Sequence, residues 1–347
     1  MKTPLEDFVY LLHSYPHVQG DAAEGDPLCT LETELRAGLH LFWQTADSIL
    51  AGSGVMLSMP PQDYPALERN FFSALFLYSY SRGGIPGERR VLYAAINQCL
   101  RGMVTGCDNL LDDEYKATLE TDLPLGSLRF RSVLDIMVSD RVLFEIILGL
   151  CSKGEISLEA AGRASAASLR ALTRSGAQEA SEETGVTRRI PPEEVLERVH
   201  HFKTGLLFQS PWAIPAVLES VAPETVSLME TALYRIGMGC QILDDLVDLF
   251  PDLRMKRHNY VASLAFRHLS EQDWGSLEGS ASEGGDQAAS ARWYGRFPDL
   301  LETAYGTARG FLETGLKALF AEAHAFLVDP AVRFIERRIG VEGMRSR

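Results

Sequence analysis

The sequence has no excess of basic residues and no long apolar run. Its 33 lysines and arginines are outnumbered by 47 aspartates and glutamates, for a net charge of -14, whereas nucleic-acid-binding domains carry a basic face or stripe. No apolar stretch reaches the roughly 18 residues that a membrane-spanning helix needs. The sequence therefore predicts neither a nucleic-acid partner nor a transmembrane segment.

Paired cysteines are missing too. The five cysteines are scattered and show no CxxC spacing, so neither a zinc site nor a redox pair is predicted. The N-terminal residues include acidic side chains and lack a small-residue cleavage site after an apolar core, so we predict no signal peptide. We therefore expect a cytoplasmic protein with free thiols.

Strict alternation of apolar and polar residues, typical of half-buried strands, is also lacking. Apolar residues instead recur at every third or fourth position, which predicts helices separated by Pro and Gly clusters. The fold class is therefore expected to be all-α. The predicted helices cover residues 31–51, 66–82, 88–115, 130–151, 157–174, 193–220, 224–249, 256–269 and 297–325.

Two segments rich in Gly, Ser and acidic residues, 173–192 and 270–290, are predicted to be loops, the second of them flexible. Neither is long enough to mark a domain boundary, and the sequence has no tandem repeat. We therefore predict a single domain over residues 1–347 with a core at about 31–325.

Two clusters of aspartates stand out from this helical pattern. The stretch GCDNLLDDEYK places Asp108 and Asp112 four residues apart, on one face of a helix. The stretch GCQILDDLVDLF repeats that spacing with Asp244 and Asp248 and adds Asp245. One such pair is most often a solvated acidic face, but two pairs within apolar sequence predict carboxylates that face a cavity.

Carboxylates gathered in an apolar setting repel one another and resist desolvation, so a cation is expected beside them. Mg²⁺ suits such a site because it takes one or two carboxylates and completes its shell with water and substrate phosphate. Both clusters are therefore candidate magnesium sites that hold a diphosphate.

These residues resemble the trans-prenyltransferase family, in which two DDxxD motifs face each other across a helical barrel. Residues 108–112, DNLLD, resemble the first motif with Asn109 in place of its second Asp. Residues 241–248, QILDDLVD, match the second motif and its preceding Gln. The resemblance covers about residues 65–270 and implies a single-domain antiparallel helical barrel of the class I isoprenoid synthase type.

The resemblance also implies the site residues. Three Mg²⁺ ions are expected, with Asp108, Asp112, Asp244, Asp245 and Asp248 as metal ligands. Asp108, Asp112, Asp244, Asp248 and Lys203 are the expected catalytic residues. The expected substrate contacts are Lys203 and Thr204 of the family's KT pair, Gln241, Lys256, Arg257, Gln178, Asn109, Met103, Val104 and Phe72. His200 and His201, just before the KT pair, are interpreted as a helix-surface pair.

Two signatures of the family's elongating members are not evident. These are a GGKxxRP-like stretch before the first motif and an RRG-like stretch after it, which build the pocket for isopentenyl diphosphate. Each lost charge-assisted hydrogen bond is worth about 1.5–3 kcal/mol, so condensation should suffer more than ionisation. The sequence therefore favours a magnesium-dependent terpene synthase, similar to class IB enzymes, that acts on an allylic prenyl diphosphate of C15 length or longer.

Two alternatives stay open. In the first, the chain is an elongating trans-prenyl diphosphate synthase whose second pocket is rebuilt from Arg82, Arg89, Arg90, Arg337 or Arg338. In the second, the chain is a non-catalytic subunit that binds a prenyl diphosphate. The resemblance also implies a homodimer, since dimerisation through helices is usual in the family.

Overall fold

The computed structural model describes residues 8–19, 26–58, 60–112, 115–282, 284 and 287–345. In these residues the chain is helical, and extended backbone pairs only in an isolated antiparallel bridge between Leu57 and Thr121. The predicted all-α class is confirmed. No helix in the described ranges is both long and apolar enough to cross a membrane.

The helices differ in length along the chain. The long N-terminal ones are α1 (Phe8–Gln19), α2 (Pro27–Leu50), α3 (Phe71–Arg82), α4 (Gly87–Leu111), α5 (Leu128–Ser152) and α6 (Leu158–Glu182). A broken middle region contains α7 (Pro192–Glu194), a π-helix (Val195–Gly205), α8 (Leu206–Gln209), a 3-10 helix (Ser210–Trp212) and α9 (Pro215–Leu218). The C-terminal region contains α10 (Pro223–Val247), α11 (Leu249–Met255), α12 (Tyr260–His268), α13 (Glu271–Ser282), α14 (Gln287–Arg296), α15 (Pro298–Leu319), a 3-10 helix (Glu322–Leu327), α16 (Val328–Ile339) and α17 (Glu342–Arg345).

Contacts divide the described chain into two compact units. The first unit comprises residues 9–173 and 210–229, and the second comprises residues 8, 174–209 and 230–345. The chain passes between the units within α1, within α6, after α8 and within α10. The single domain predicted from the sequence stays a prediction.

Small residues allow the helices of the first unit to pack closely. Helix α4 packs against both α2 and α5. A Cβ added to Gly38 of α2 would lie 2.3 Å from the Cβ of Ala94 and 2.7 Å from the carbonyl oxygen of Val91. A Cβ on Gly102 of α4 would lie 2.1 Å from Oγ of Ser139 on α5. Glycine is therefore required at both helix crossings.

The second unit is built around α10. Leu233, Ile236, Ile242 and Leu243 on this helix are fully buried. Helix α15 approaches α10 closely, because a Cβ on Gly239 would lie 2.6 Å from Cγ of Leu312. Burial of so many α10 side chains fixes the rotation of the helix about its axis and hence the direction of its C-terminal aspartates.

The first predicted loop is wrong over about half of its length, and the second is wrong over most of it. Helix α6 continues to Glu182 because Ser175 and Glu182 pack into the second unit. The segment expected to be flexible contains α13 and the start of α14, since Leu277 and Ala281 are buried despite the polar composition. Residues 283, 285 and 286 lie outside the described residues.

We predict that Gly38→Ala destabilises the protein by about 1–3 kcal/mol, because the added methyl group collides with backbone as well as side chain. Gly149→Ala on α5 is the matched control, since nothing lies within 4 Å of its added Cβ. This control should be neutral or stabilising by up to about 1 kcal/mol. Urea denaturation measures both effects, and equal stabilities of the two variants would contradict the close α2–α4 crossing.

Candidate active site

The second aspartate cluster lies where α10 ends. Asp244 and Asp245 occupy its last turn, and Asp248 is the residue between α10 and α11. Asp244 is exposed, Asp248 is half-buried, and Asp245 is 2% exposed. The three acids are therefore not equivalent, since solvent and ligands reach Asp244 and Asp248 far more easily than Asp245.

Protein groups already surround the carboxylate of Asp245. It accepts hydrogen bonds from Nε2 of Gln241, at 3.1 Å, and from the backbone N–H of Tyr260. Nε2 of His200 lies 3.0 Å from its Oδ2. We therefore revise the prediction that Asp245 binds metal and keep Asp244 and Asp248 as the proposed ligands. The surface position expected for His200 is wrong, because its side chain is 1% exposed.

Lys203 lies on the π-helix, a form that occurs often at functional sites. Its Nζ is 3.2 Å from Oε1 of Glu179, and its side chain is 23% exposed. Burial by itself lowers the pKa of Lys203, but the carboxylates of Glu179, Asp252 and Asp245 outweigh it and raise the pKa above its ordinary value. Lys203 is therefore a permanent positive charge in the second unit.

Thr204 and Gln241 connect the π-helix to the end of α10. Oγ1 of Thr204 donates a hydrogen bond to Oε1 of Gln241, whose Nε2 in turn donates to Asp245. The structure thus brings together both residues of the KT pair, the Gln before the second motif and the second motif itself. In this chain of hydrogen bonds Thr204 and Gln241 orient Asp245.

Gln178 contacts Glu182, whereas Lys256 and Arg257 follow α11. Nε2 of Gln178 donates to Oε1 of Glu182 at 2.9 Å. Lys256 is exposed and adopts a left-handed conformation with φ 55° at the end of α11. Arg257 is half-buried, and its N–H donates to the carbonyl of Asp252. Their roles as substrate contacts stay predictions.

Asp252 is a half-buried acid that the sequence interpretation missed. Its Oδ2 accepts a hydrogen bond of 2.8 Å from Nδ2 of Asn259, the residue that caps α12. Burial raises the pKa of Asp252 well above its ordinary value, and the carboxylate of Asp245 adds to this rise. The available signal was the spacing, because Asp252 follows Asp248 by the same four residues that separate Asp248 from Asp244.

The first aspartate cluster ends α4 in the first unit. Asp108 is exposed, and Asp112 is half-buried and caps the helix with its N–H bonded to the carbonyl of Asp108 at 2.9 Å. The adjacent acids Asp113 and Glu114 lie outside the described residues. The two aspartates predicted to bind metal are therefore at a helix end that ligands can reach.

Asn109, the departure from the DDxxD pattern, is turned toward the protein and is 4% exposed. Its Nδ2 donates to the carbonyl of Lys116 at 3.0 Å, and its Oδ1 accepts from the N–H of Lys116 at 2.8 Å. An aspartate at this position has no N–H to donate. The amide therefore ties the segment after α4 to the helix, which suits Asn better than Asp.

Met103 lines a cavity of about 500 Å³ with residues of α5 and α6, among them Phe144, Leu148 and Leu169. Val104 is half-buried on the same helix as Met103. Phe72 is half-buried on α3 and packs edge-on against Phe71, with ring centroids 5.3 Å apart. The cavity near Met103 is mainly apolar, as a hydrocarbon chain requires.

The donor groups fit magnesium. In the part of the chain that the structure describes, no three His, Cys, Asp or Glu side chains converge on a ready-made metal site. Magnesium does not need such a cage, since it commonly binds one or two carboxylates and takes its other ligands from water and phosphate. The accessible pairs Asp108 with Asp112 and Asp244 with Asp248 match that requirement.

A scan of protein-family models and a search of curated proteins found no match. Solved structures are similar in fold. Octaprenyl pyrophosphate synthase from Helicobacter pylori has a TM-score of 0.62 at 16% identity, over 88% of this chain and 99% of that one. A polyprenyl synthetase from Streptomyces coelicolor has a TM-score of 0.59 at 19% identity, over 87% of this chain and 98% of that one. Geranylgeranyl pyrophosphate synthetase from Pyrococcus horikoshii has a TM-score of 0.58 at 15% identity, over 91% of this chain and 98% of that one.

These similarities define the fold. The helices have the architecture of the class I isoprenoid synthases. More narrowly, the similar structures named above are prenyl synthases or synthetases, so the resemblance inferred from the two aspartate motifs is confirmed at the level of the fold.

We predict that Asn109→Asp destabilises the first unit by about 1–3 kcal/mol, because it removes one hydrogen bond and places a carboxylate against the carbonyl of Lys116. Gln62→Glu, at an exposed position of the same unit, adds the same charge and should be neutral. Thermal unfolding compares the two variants. An Asn109→Asp protein as stable as the wild type would show that the amide is not needed there.

Proposed function

We propose that the chain ionises an allylic prenyl diphosphate with Mg²⁺ and transfers the prenyl group to isopentenyl diphosphate. The observation that carries the first step is Lys203, a half-buried cation in the same unit as Asp244 and Asp248. Charge develops on the diphosphate as it leaves, and a preorganised cation stabilises that charge. The fold supports the proposal, since it is the fold of enzymes that make prenyl diphosphates.

In this proposal Asp108, Asp112, Asp244 and Asp248 would hold Mg²⁺, with three ions expected. Bound Mg²⁺ would supply Lewis-acid neutralisation of the diphosphate. Lys203 supplies a further positive charge, while Gln241 and Thr204 keep the end of α10 oriented. Lys256 and Arg257 are proposed as additional contacts to the leaving group.

The hydrocarbon tail is proposed to occupy the cavity near Met103. Its volume of about 500 Å³ lies within the usual range of about 300–1,000 Å³ for ligand pockets. A substrate of C15 length or longer is consistent with this space.

Elongation is the first candidate function because the named similar structures are synthases or synthetases of octaprenyl, polyprenyl and geranylgeranyl products. This favours the elongating alternative over the terpene synthase expected from the missing signatures. Transfer to isopentenyl diphosphate would need a second anion pocket. Whether the arginines of the chain are already paired with protein groups therefore bears on the choice between elongation and terpene release.

Release of a terpene is the second candidate, and the arginines favour it. Arg89 pairs with Glu219 at 2.7 Å and with Glu155 at 3.3 Å, and Arg90 pairs with Glu34. Arg131 is buried and donates to backbone carbonyls of the segment after α4. These three arginines are thus already engaged with protein groups, which leaves fewer cations for a second diphosphate.

One assay separates the candidates. Purified protein with Mg²⁺ is incubated with C10, C15 and C20 allylic diphosphates, with and without isopentenyl diphosphate, and extracts are analysed by mass spectrometry before and after phosphatase treatment. Elongation predicts longer prenyl alcohols only after phosphatase and only with isopentenyl diphosphate. A hydrocarbon or alcohol formed without it would establish the terpene synthase, and no turnover would favour the non-catalytic subunit.

With whichever substrate is consumed, we predict that Asp244→Asn lowers kcat/KM by about 100-fold or more, since an electrostatic group that acts in the transition state is typically worth this much. Asp299→Asn is the matched control, at an exposed position of the same unit, and should retain activity. Unchanged kcat/KM in Asp244→Asn would refute the proposed role of the second motif.

We also propose a homodimer formed through an apolar stripe on α5. Its members are exposed although apolar, and they follow helical spacing: Phe130, Val133 and Met137. The stripe extends over about 10 Å, at 1.5 Å per residue. An exposed apolar surface of this kind is typical of a protein interface.

The dimer predicts that Met137→Asp converts the protein to a monomer, because a charge would be buried within the stripe. Leu125→Asp, at a position that is 85% exposed and outside α5, should leave the assembly intact. Sedimentation velocity at micromolar concentration distinguishes the species. A monomeric wild type, or a dimeric Met137→Asp variant, would exclude this interface.

A further inference from the structure

Three polar residues on the last turns of α6 form one stripe that faces the proposed diphosphate site. Ser175, Glu179 and Glu182 are spaced by four and three residues, so they lie on one face of the helix. Oγ of Ser175 donates to the carbonyl of Lys203 at 2.6 Å. Oε2 of Glu182 accepts from the N–H of His258 at 2.8 Å.

Glu179, the middle member, contacts the charge of Lys203 rather than its backbone. The two side chains are 21% and 23% exposed, with 3.2 Å between Oε1 and Nζ. The ion pair is partly withdrawn from solvent, so it is screened less than a surface pair. An anionic ligand that reaches Lys203 therefore competes with the carboxylate of Glu179 for the ammonium group.

The backbone of Lys203 is anchored independently of this ion pair. The hydrogen bond from Ser175 holds its carbonyl, and the adjacent Thr204 is bonded to Gln241. Gln178, the neighbour of Glu179, is committed to Glu182. Removal of the Glu179 charge should thus take away the nearest carboxylate of the Lys203 ammonium while the π-helix stays in position.

We propose that Glu179 is the built-in counter-ion of Lys203 and that diphosphate binds by replacing it. The inference rests on the proposed function, since it assumes that Lys203 contacts a diphosphate. Competition from Glu179 weakens binding of the anion and, by the same equilibrium, favours release of the diphosphate product. Glu179 is in this sense a positioning residue that sets affinity through Lys203.

Isothermal titration calorimetry with inorganic diphosphate, in the presence of Mg²⁺, tests the exchange without turnover. Glu179→Gln should bind diphosphate about two- to fivefold more tightly than the wild type, the range expected for release of one partly exposed ion pair. Glu179→Ala should shift affinity in the same direction. Glu183→Gln, exposed on the same stretch of chain, should bind like the wild type.

A further variant, Lys203→Met, separates failure of the inference from failure of the proposed function. If the wild type binds diphosphate and Lys203→Met weakens that binding, Lys203 is an anion contact. Unchanged or weaker binding by Glu179→Gln would then overturn the counter-ion role, and weaker binding would indicate that Glu179 helps to hold the metal. If the wild type and Lys203→Met show equally negligible binding, the proposed function itself fails. Thermal unfolding confirms that each variant is folded.

Discussion

The second unit depends on the attraction between the ammonium group of Lys203 and the carboxylates around it. Asp245 and Asp252 are brought close together because α10 and α11 follow each other after a single residue, and Glu179 adds a third acid. Ionised carboxylates this close repel one another unless a cation compensates them. Lys203 supplies that charge from the π-helix.

Helices α10 and α12 both contribute hydrogen bonds to the carboxylate of Asp245. The N–H of Tyr260 at the start of α12 and the amide of Gln241 both bind Asp245, so this carboxylate joins α10 to α12 instead of facing a ligand. Asp244, one residue before, is exposed, and Asp248, three residues after, is half-buried. The division of neighbouring acids between a structural role and a ligand role follows from helix geometry, which points adjacent side chains in different directions.

Most of the fold was predictable because α-helices have a strong periodic signal. The apolar repeats predicted α2, α4, α5, α10 and α15 to within a few residues. The prediction failed where burial rests on a few large side chains in polar sequence, as with Leu277 in α13. It also placed the KT pair on a regular helix, whereas Val195–Gly205 is a π-helix, a local change that composition does not reveal.

The sequence by itself determined which chemistry the chain could carry. Two pairs of aspartates at helical spacing, with Lys203 between them in the chain, already indicated cations and a diphosphate. Only the tertiary structure decided which side chains are free to act, because burial and hydrogen-bond partners depend on residues distant in sequence. Asn109 is committed to Lys116, Asp245 to Gln241 and Tyr260, and Lys203 to Glu179, and these contacts arise from packing rather than from spacing along the chain.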